Sequence, residues 1–298
     1  MKRGNVRKVR IITICLFLLF LSSNAFALIG PPASQLDRGM WSISGGYTYT
    51  SQDMGTAKIK DTECWTKYND LGVVYDEGSD ADTYKLKIRN VNTNLYYGQL
   101  SYGLKDKWEV YGQLGFTDVK AETKSDSDSR WYGYNLDNEF ALGLGTRYTF
   151  AEKGKIDWGA AVHLNWYSNS VDYEETNTYD WGGGLFETDY LKETTALDTL
   201  GIIIAVGPAI DMGSWTLYGG AICQISTADY SYKECGSWID TDDYHGTWAE
   251  KKSGDYDMTS FGAYVGAQIG VYKNYDFAIE LQGTTDGWGA GVGIEIPF

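Results

Sequence analysis

One histidine and a few aspartates are the candidates for catalysis in this sequence. His245 lies two residues after Asp243, and Asp80-Ala81-Asp82 provides a second acid pair. An imidazole oriented by a carboxylate can act as a general base that activates water. Such spacings arise by chance in acid-rich segments, and the chain lacks His-Glu-x-x-His, Gly-Lys-Ser/Thr and Gly-x-Ser-x-Gly patterns. We expect no enzyme, and keep as the alternative a hydrolase that uses Asp80, Asp82, Asp243 and His245.

Closely spaced aspartates also raise the question of metal binding. Asp126 is near Asp128, and Asp240 is near Asp242 and Asp243. Neither group fits the Asp-x-Asp-x-Asp-Gly calcium loop. We therefore expect solvated surface, no bound metal and no cofactor, with divalent cations at these acidic segments as the alternative.

Residues 1–27 have the features of a cleaved export signal. Five basic residues precede the apolar stretch 11–21, and residues 25–27 form the small-x-small ending that a signal peptidase accepts. The apolar stretch is shorter than the ~20 residues that span a bilayer. We expect cleavage after Ala27, a short periplasmic segment over 28–39, and one domain over 40–298.

Three cysteines remain after cleavage, because Cys15 belongs to the signal. Export permits disulfides. Cys64 and Cys235 lie in two acidic segments that we expect to be neighbours, so a disulfide between them is a hypothesis. Cys223 lies on an apolar face and is expected to pack as a small hydrophobe.

Charge and composition exclude several classes of protein. The formal charge is -15, and removal of five basic residues with the signal makes it -20. Nucleic-acid binding through phosphates needs Lys and Arg, so no nucleic-acid partner is expected. Aromatic residues make up 15% of the chain, too many for a disordered protein. A mean hydropathy of -0.34 excludes a bundle of membrane-spanning helices.

The remaining sequence alternates with period two, as half-buried strands do. Each of ten segments has one apolar face and a length near the ~9–11 residues of a tilted membrane strand. The segments are 41–50, 96–104, 108–116, 140–150, 156–166, 200–210, 215–225, 261–271, 275–281 and 288–298. We predict an all-β fold, a ten-stranded antiparallel transmembrane β-barrel.

The connections alternate between short and long, which is typical of periplasmic turns and extracellular loops. The four long segments are 53–83, 118–138, 168–195 and 226–257, and they carry 28 acids and 10 bases. We predict acidic extracellular loops that bind an unknown ligand. Five tryptophans in them are candidate anchors: Trp65, Trp131, Trp181, Trp238 and Trp248.

Aromatic residues on the apolar faces stand eight positions apart in four segments. Eight residues span ~26 Å along a strand, close to the apolar band between two aromatic girdles once the strand is tilted. The predicted girdle residues are Trp41, Tyr49, Trp108, Phe116, Phe140, Tyr148, Trp158, Trp166, Trp215, Tyr275 and Phe298.

The opposite faces predict a polar lumen. Its charged residues are Glu109, Glu139, Arg147, Asp157, Asp276, Glu280 and Glu295. Because a buried charge needs a partner, we expect Arg147 to meet Glu109 or Asp157. Aromatic side chains should fill much of the interior, while inward glycines favour some room. Ten strands then imply a narrow or blocked path.

With these features the chain resembles the small outer-membrane β-barrel proteins of Gram-negative bacteria. The hairpin over 101–111 and the last strand, with Ile294, Ile296 and Phe298, carry the resemblance best. It implies a bacterial outer-membrane location, contact with membrane lipid, and recognition of the last strand by the barrel-assembly machinery. The predicted function is a non-enzymatic surface-binding or narrow pore-type protein.

A weaker resemblance concerns Asp243 and His245 together with Asp80 and Asp82. Asp-x-His opposite Asp-x-Asp in a ten-stranded barrel resembles the omptin outer-membrane proteases, and implies an Asp–His pair that activates water and an acidic groove that takes basic substrates. Here Asp80 and Asp82 fall in the first long segment, whereas that family carries the pair in the second.

Overall fold

The computed structural model describes residues 29–126, 129–182, 185–240, 244–272 and 275–298, so the predicted export signal lies outside the described residues. Eleven antiparallel strands in this part of the chain form one sheet. They are β1 Trp41–Gln52, β2 Gly55–Tyr68, β3 Val74–Lys105, β4 Trp108–Ser125, β5 Tyr132–Lys153, β6 Ile156–Gly182, β7 Leu185–Asp211, β8 Trp215–Asp240, β9 His245–Tyr272, β10 Tyr275–Thr284 and β11 Gly287–Pro297.

Ten of these strands close into a ring. β1 pairs with both β3 and β11, and β9 pairs with both β8 and β10. The ring therefore consists of β1 together with the nine strands β3 through β11. Each of the ten predicted segments falls on one of these strands, which confirms the antiparallel barrel.

β2 lies within the segment 53–83, which was predicted to be a long loop. It pairs with the upper parts of β3 and β9, beyond the ends of β1, β10 and β11. Ala57 and Ile59 face inward and are buried, while Lys58 and Lys60 face outward and are exposed. Further along the inward face stand Asp61 and Glu63, so both faces of the strand carry charges and the alternation has little hydrophobic contrast.

The other three predicted long loops are also largely strand. β6 and β7 stay paired up to Gly182 and Leu185, sixteen residues beyond Trp166. This distance is ~53 Å along a strand. The barrel therefore has a lower part that carries the aromatic girdles and a tall upper part built from the acidic segments.

The outer face of the lower part is apolar. Leu144 is 64% exposed and Phe116 is 60% exposed on this face. All eleven predicted girdle residues lie on it, and some meet across strands, as Phe116 and Phe140 do at 6.1 Å between ring centroids. In the described residues, no helix is long and apolar enough to cross a membrane.

Candidate functional site

Residues 29–36, here called the plug, lie inside the lower end of the barrel. The backbone N–H groups of Ile29 and Gly30 donate to the two carboxylate oxygens of Glu280, at 3.0 and 2.8 Å. The N–H of Gln35 donates to Oε2 of Glu109 at 3.1 Å. The segment 28–39 was predicted to be periplasmic. Its first described residues instead lie in the lumen, where carboxylates of the strands accept hydrogen bonds from them.

Arg147 links the plug to the barrel wall. Of its two predicted partners, the structure pairs it with Glu109: Nη1 lies 2.7 Å from Oε1, and the side chains are 4% and 0% exposed. Nη2 donates to the carbonyl of Ile29 at 2.8 Å, and the guanidinium lies over the ring of Tyr111. Gly30 has a φ of +72°, and a Cβ there would lie 2.8 Å from Nη2 of Arg147.

The other predicted lumen charges divide into two groups. Glu295 accepts from Oγ of Ser42 at 2.6 Å, and it shares the amide of Gln268 with Asp276. These two carboxylates lie with Glu280 at the lower end.

Two predicted members lie apart from this charge cluster. Glu139 is eight residues from Arg147 on β5, ~26 Å along the strand, and accepts from Oγ of Ser170. Asp157 is in register with Glu152 because a bulge follows Thr149.

The inward glycines do not provide room, contrary to the prediction. A Cβ on Gly145 would collide with the ring of Tyr111, and one on Gly266 with the ring of Tyr218. At Gly159 it would collide with the backbone of the plug at Ala33. These glycines let large side chains and the plug fill the lumen.

Two further layers occupy the interior above the plug. The first contains buried amides and hydroxyls, including Gln99, which accepts from the amide of Gln113 at 2.7 Å. The second lies above the upper girdle and is apolar, with Ile59, Val119 and Leu136 at its centre. The lumen is therefore filled by polar groups in the middle and by hydrocarbon above them.

An open cleft of about 620 Å³ lies above the apolar layer, at the mouth of the upper barrel. We call it the vestibule; its walls include Trp65, Trp238, Trp248, Glu63, Asp80 and Lys67. Three of the five predicted tryptophan anchors therefore meet there. Trp131 is elsewhere, under the guanidinium of Arg89 at 3.7 Å, and the side chain of Trp181 lies outside the described residues.

A row of carboxylates crosses the inner face beside the tryptophans. Direct register partners connect Asp80 to Glu63, Glu63 to Glu250, Glu250 to Glu234, and Glu234 to Glu193. Like charges directly opposite each other destabilise a sheet. The row of carboxylates therefore costs stability.

Electrostatics in the vestibule reflect this crowding. Burial, together with the negative charge of Glu250, raises the pKa of Asp61, which lies one row below. Burial and the charge of Glu234 likewise raise the pKa of Glu193. Burial lowers the pKa of Lys252, but its partner Glu250 at 2.9 Å outweighs burial and the net shift is upward.

The structure separates His245 from Asp80, two of the four residues of the catalytic alternative. His245 is in register with Tyr68 at the tip of β2 and stacks on its ring at 4.9 Å. Asp80 is in register with Glu63 of β2, which is five residues from Tyr68 and ~17 Å from it along the strand. The alternation also puts His245 and Asp80 on opposite faces of the sheet. Asp243 lies outside the described residues.

Cys64 and Cys235 are not paired, contrary to the disulfide hypothesis. Both are free thiols, and both are in register with Ala249 of the intervening strand β9. Two strand spacings separate them, ~10 Å, which exceeds the reach of a disulfide.

The candidate metal sites fall partly outside the described residues, which exclude Asp128, Asp242 and Asp243. Where the chain is described, no group of three or more His, Cys, Asp or Glu side chains is placed to hold a metal ion.

Comparisons with known proteins show similarity to outer-membrane β-barrels. The outer membrane protease OmpT from Escherichia coli has 10% identity and a TM-score of 0.40, over 86% of this chain and 97% of that one. The COG4313 outer membrane channel from Pseudomonas putida F1 has 12% identity and a TM-score of 0.33, over 92% and 100%. OprG from Pseudomonas aeruginosa has 12% identity and a TM-score of 0.28, over 88% and 97%. No family model and no curated protein matches the sequence.

Proposed function

We propose that this protein is an outer-membrane β-barrel with a closed lumen, and that it acts as a non-enzymatic binding protein at the cell surface. The lower barrel would lie in the membrane, and the tall upper part would present the vestibule to the outside. The apolar outer face between the two girdles supports this placement, because a lipid-facing charge costs ~2–4 kcal/mol at mid-depth.

The filled lumen is the observation that supports a binding role over a pore. The plug occupies the lower end and is held by Glu280, Glu109 and Arg147. The apolar layer around Ile59 and Val119 occupies the interior above the upper girdle. A solute would have to displace both, so removal of either one alone should leave the path closed.

Planar-bilayer recording tests this proposal. Refolded protein should give no stepwise conductance under conditions in which a porin control conducts, and a variant lacking residues 29–36 should also remain silent. Heat-modifiable mobility in detergent gels would show that each sample is a folded barrel. Regular conductance steps from folded wild-type protein would overturn the closed-lumen proposal.

The omptin-like protease remains a second hypothesis with its own test. It needs a water molecule between His245 and an aspartate, but His245 and Asp80 are on opposite faces. We expect no cleavage of a dibasic peptide by the refolded protein. Cleavage that His245→Ala abolishes would establish the protease instead.

A further inference from the structure

The three vestibule tryptophans are held flat against the wall by glycines on neighbouring strands. Trp65 lies over Gly78, its register partner on β3, and Trp248 lies over Gly236, its partner on β8. A Cβ on Gly236 would be only 2.6 Å from Nε1 of Trp248. One face of each indole is therefore covered by backbone, which leaves the other for the cleft.

The tryptophans and the carboxylates form adjacent rows. Trp65 and Trp248 are themselves register partners across β2 and β9. Two residues further down the same strands, on the same face, Glu63 partners Glu250. Aromatic faces and carboxylates thus alternate along the wall of one cleft.

The cations near this wall already have partners. Lys67 pairs with Asp76 at 2.8 Å, and Lys252 pairs with Glu250 at 2.9 Å. Among the described residues, no ion pair forms with Glu63, Asp80, Glu234 or Glu193. The vestibule therefore has excess negative charge and would repel an anionic ligand.

Lys252 illustrates the kind of group that this wall accepts. Its ammonium lies 4.8 Å from the centroid of the Tyr232 ring and also contacts a carboxylate. The same pair of features, an aromatic face and a carboxylate, recurs at Trp65 with Glu63, and no cation from the described part of the chain lies over that indole. Tryptophan is the best aromatic partner for such a cation, and quaternary ammonium groups are bound in this way.

We propose that the vestibule binds an organic cation with a methylated ammonium group, of which choline is the simplest probe. The methyl groups would contact the free faces of Trp65 and Trp248, and the positive charge would lie near Glu63 and Asp80. This inference rests on the proposed surface-binding function and names its ligand class. A compact metal ion would gain nothing from the indoles, and a neutral ligand would leave the excess negative charge of the carboxylates uncompensated.

Calorimetric titration of choline into refolded protein tests the proposal. The micelle should be a polyoxyethylene alkyl ether detergent, because a phosphocholine detergent carries the probe group itself and a glucoside detergent carries glucose. We expect saturable binding of choline. The neutral isostere of choline, 3,3-dimethylbutan-1-ol, should bind more weakly by a factor of about ten or more. Phosphocholine should bind more weakly than choline because its phosphate would approach the carboxylates.

Single substitutions locate the site. Trp65→Leu and Trp248→Leu should each weaken choline binding by about five- to thirtyfold, and Glu63→Gln should also weaken it. Trp131→Leu is the matched control, because Trp131 lies outside the vestibule, and it should bind choline as the wild type does. Heat-modifiable mobility would again confirm that each variant is folded.

Several results would overturn the proposal: no choline binding, equal binding of choline and its neutral isostere, or an equal loss in the Trp131→Leu variant. Binding of glucose without choline would indicate a carbohydrate site, and calcium binding insensitive to both tryptophan variants would indicate an inorganic cation site. A silent barrel that fails to bind choline refutes only this inference, whereas a conducting barrel refutes the closed lumen.

Discussion

Replacing Arg147 with methionine should strongly destabilise the barrel. The substitution leaves Glu109, which is 0% exposed, as a buried carboxylate without its cation. Breaking a buried pair from one side costs about 3–5 kcal/mol. The lost charged hydrogen bond to the carbonyl of Ile29 adds about 1.5–3 kcal/mol. Because these groups form one network and do not add fully, we expect a total of about 4–6 kcal/mol.

A double-mutant cycle separates charge from packing. In Arg147→Met combined with Glu109→Gln, neither buried charge remains, and neutral replacements of buried ion pairs are tolerated well. The double variant should therefore be more stable than Arg147→Met alone. Equilibrium unfolding in denaturant, followed by tryptophan fluorescence of vesicle-inserted protein, would measure each free energy.

Lys107→Met provides the matched control for this experiment. Its pair with Glu152 has a similar N–O distance, 2.8 Å, but both side chains are 48% exposed. Solvent screens such a pair, so its removal should have little effect. A stabilising charge pair at Arg147 is refuted if Arg147→Met is as stable as Lys107→Met, or if the double variant loses the sum of the losses in Arg147→Met and Glu109→Gln.

Three further outcomes follow from the same structure. Gly159→Ala should displace the plug, because its Cβ would meet plug backbone; hydrogen exchange in residues 29–36 should rise, and unchanged protection would contradict this. Cys64 and Cys235 should both react with an impermeant maleimide on intact cells, whereas a mobility shift on reduction would mean that they pair. Choline binding should weaken as the pH falls through the raised pKa values of Asp61 and Glu193, because protonation removes their charge. Choline binding that stays unchanged at a pH below both pKa values would exclude the involvement of Asp61 and Glu193. The raised pKa values also mean that the charged carboxylates destabilise the folded upper barrel. This penalty is complete above the raised pKa of the folded state and absent below the ordinary pKa of the unfolded chain.

The lower barrel was predictable because lipid and lumen impose opposite requirements on alternate residues. In 140–150, for example, Phe140, Leu142 and Leu144 face outward, while Gly143, Gly145 and Arg147 face inward. This contrast fixes both the strand and its orientation. The order of neighbouring strands reduced the partners of Arg147 to Glu109 or Asp157, and the structure selects Glu109.

The upper barrel was not predictable by the same reasoning. Its outer face meets water, and its inner face carries residues such as Glu63 and Glu250, so both faces are polar and the segments resemble loops. The vestibule tryptophans were predicted as anchors for a ligand, but their common location depends on β2, which lies between β3 and β9. Register across three strands brings Trp65 and Trp248 together, and no local spacing reveals it.

The plug was missed for a different reason. Residues 28–39 have no period, and their partners are remote: Ile29 and Glu280 are 251 positions apart. The glycines were misread for a related reason, since a glycine in a strand signals close approach without saying what approaches.

The plug also constrains the order of assembly. Its hydrogen-bond partners lie on β4, β5 and β10, so the first residues of the described chain find their complete set of partners only after the penultimate strand has been added. A nascent barrel that has not yet recruited β10 leaves the amides of Ile29 and Gly30 without the Glu280 carboxylate. The plug can therefore make all of its contacts in the lower lumen only once β10 is in place, and a chain truncated before β10 would leave the leading end of the plug without that carboxylate.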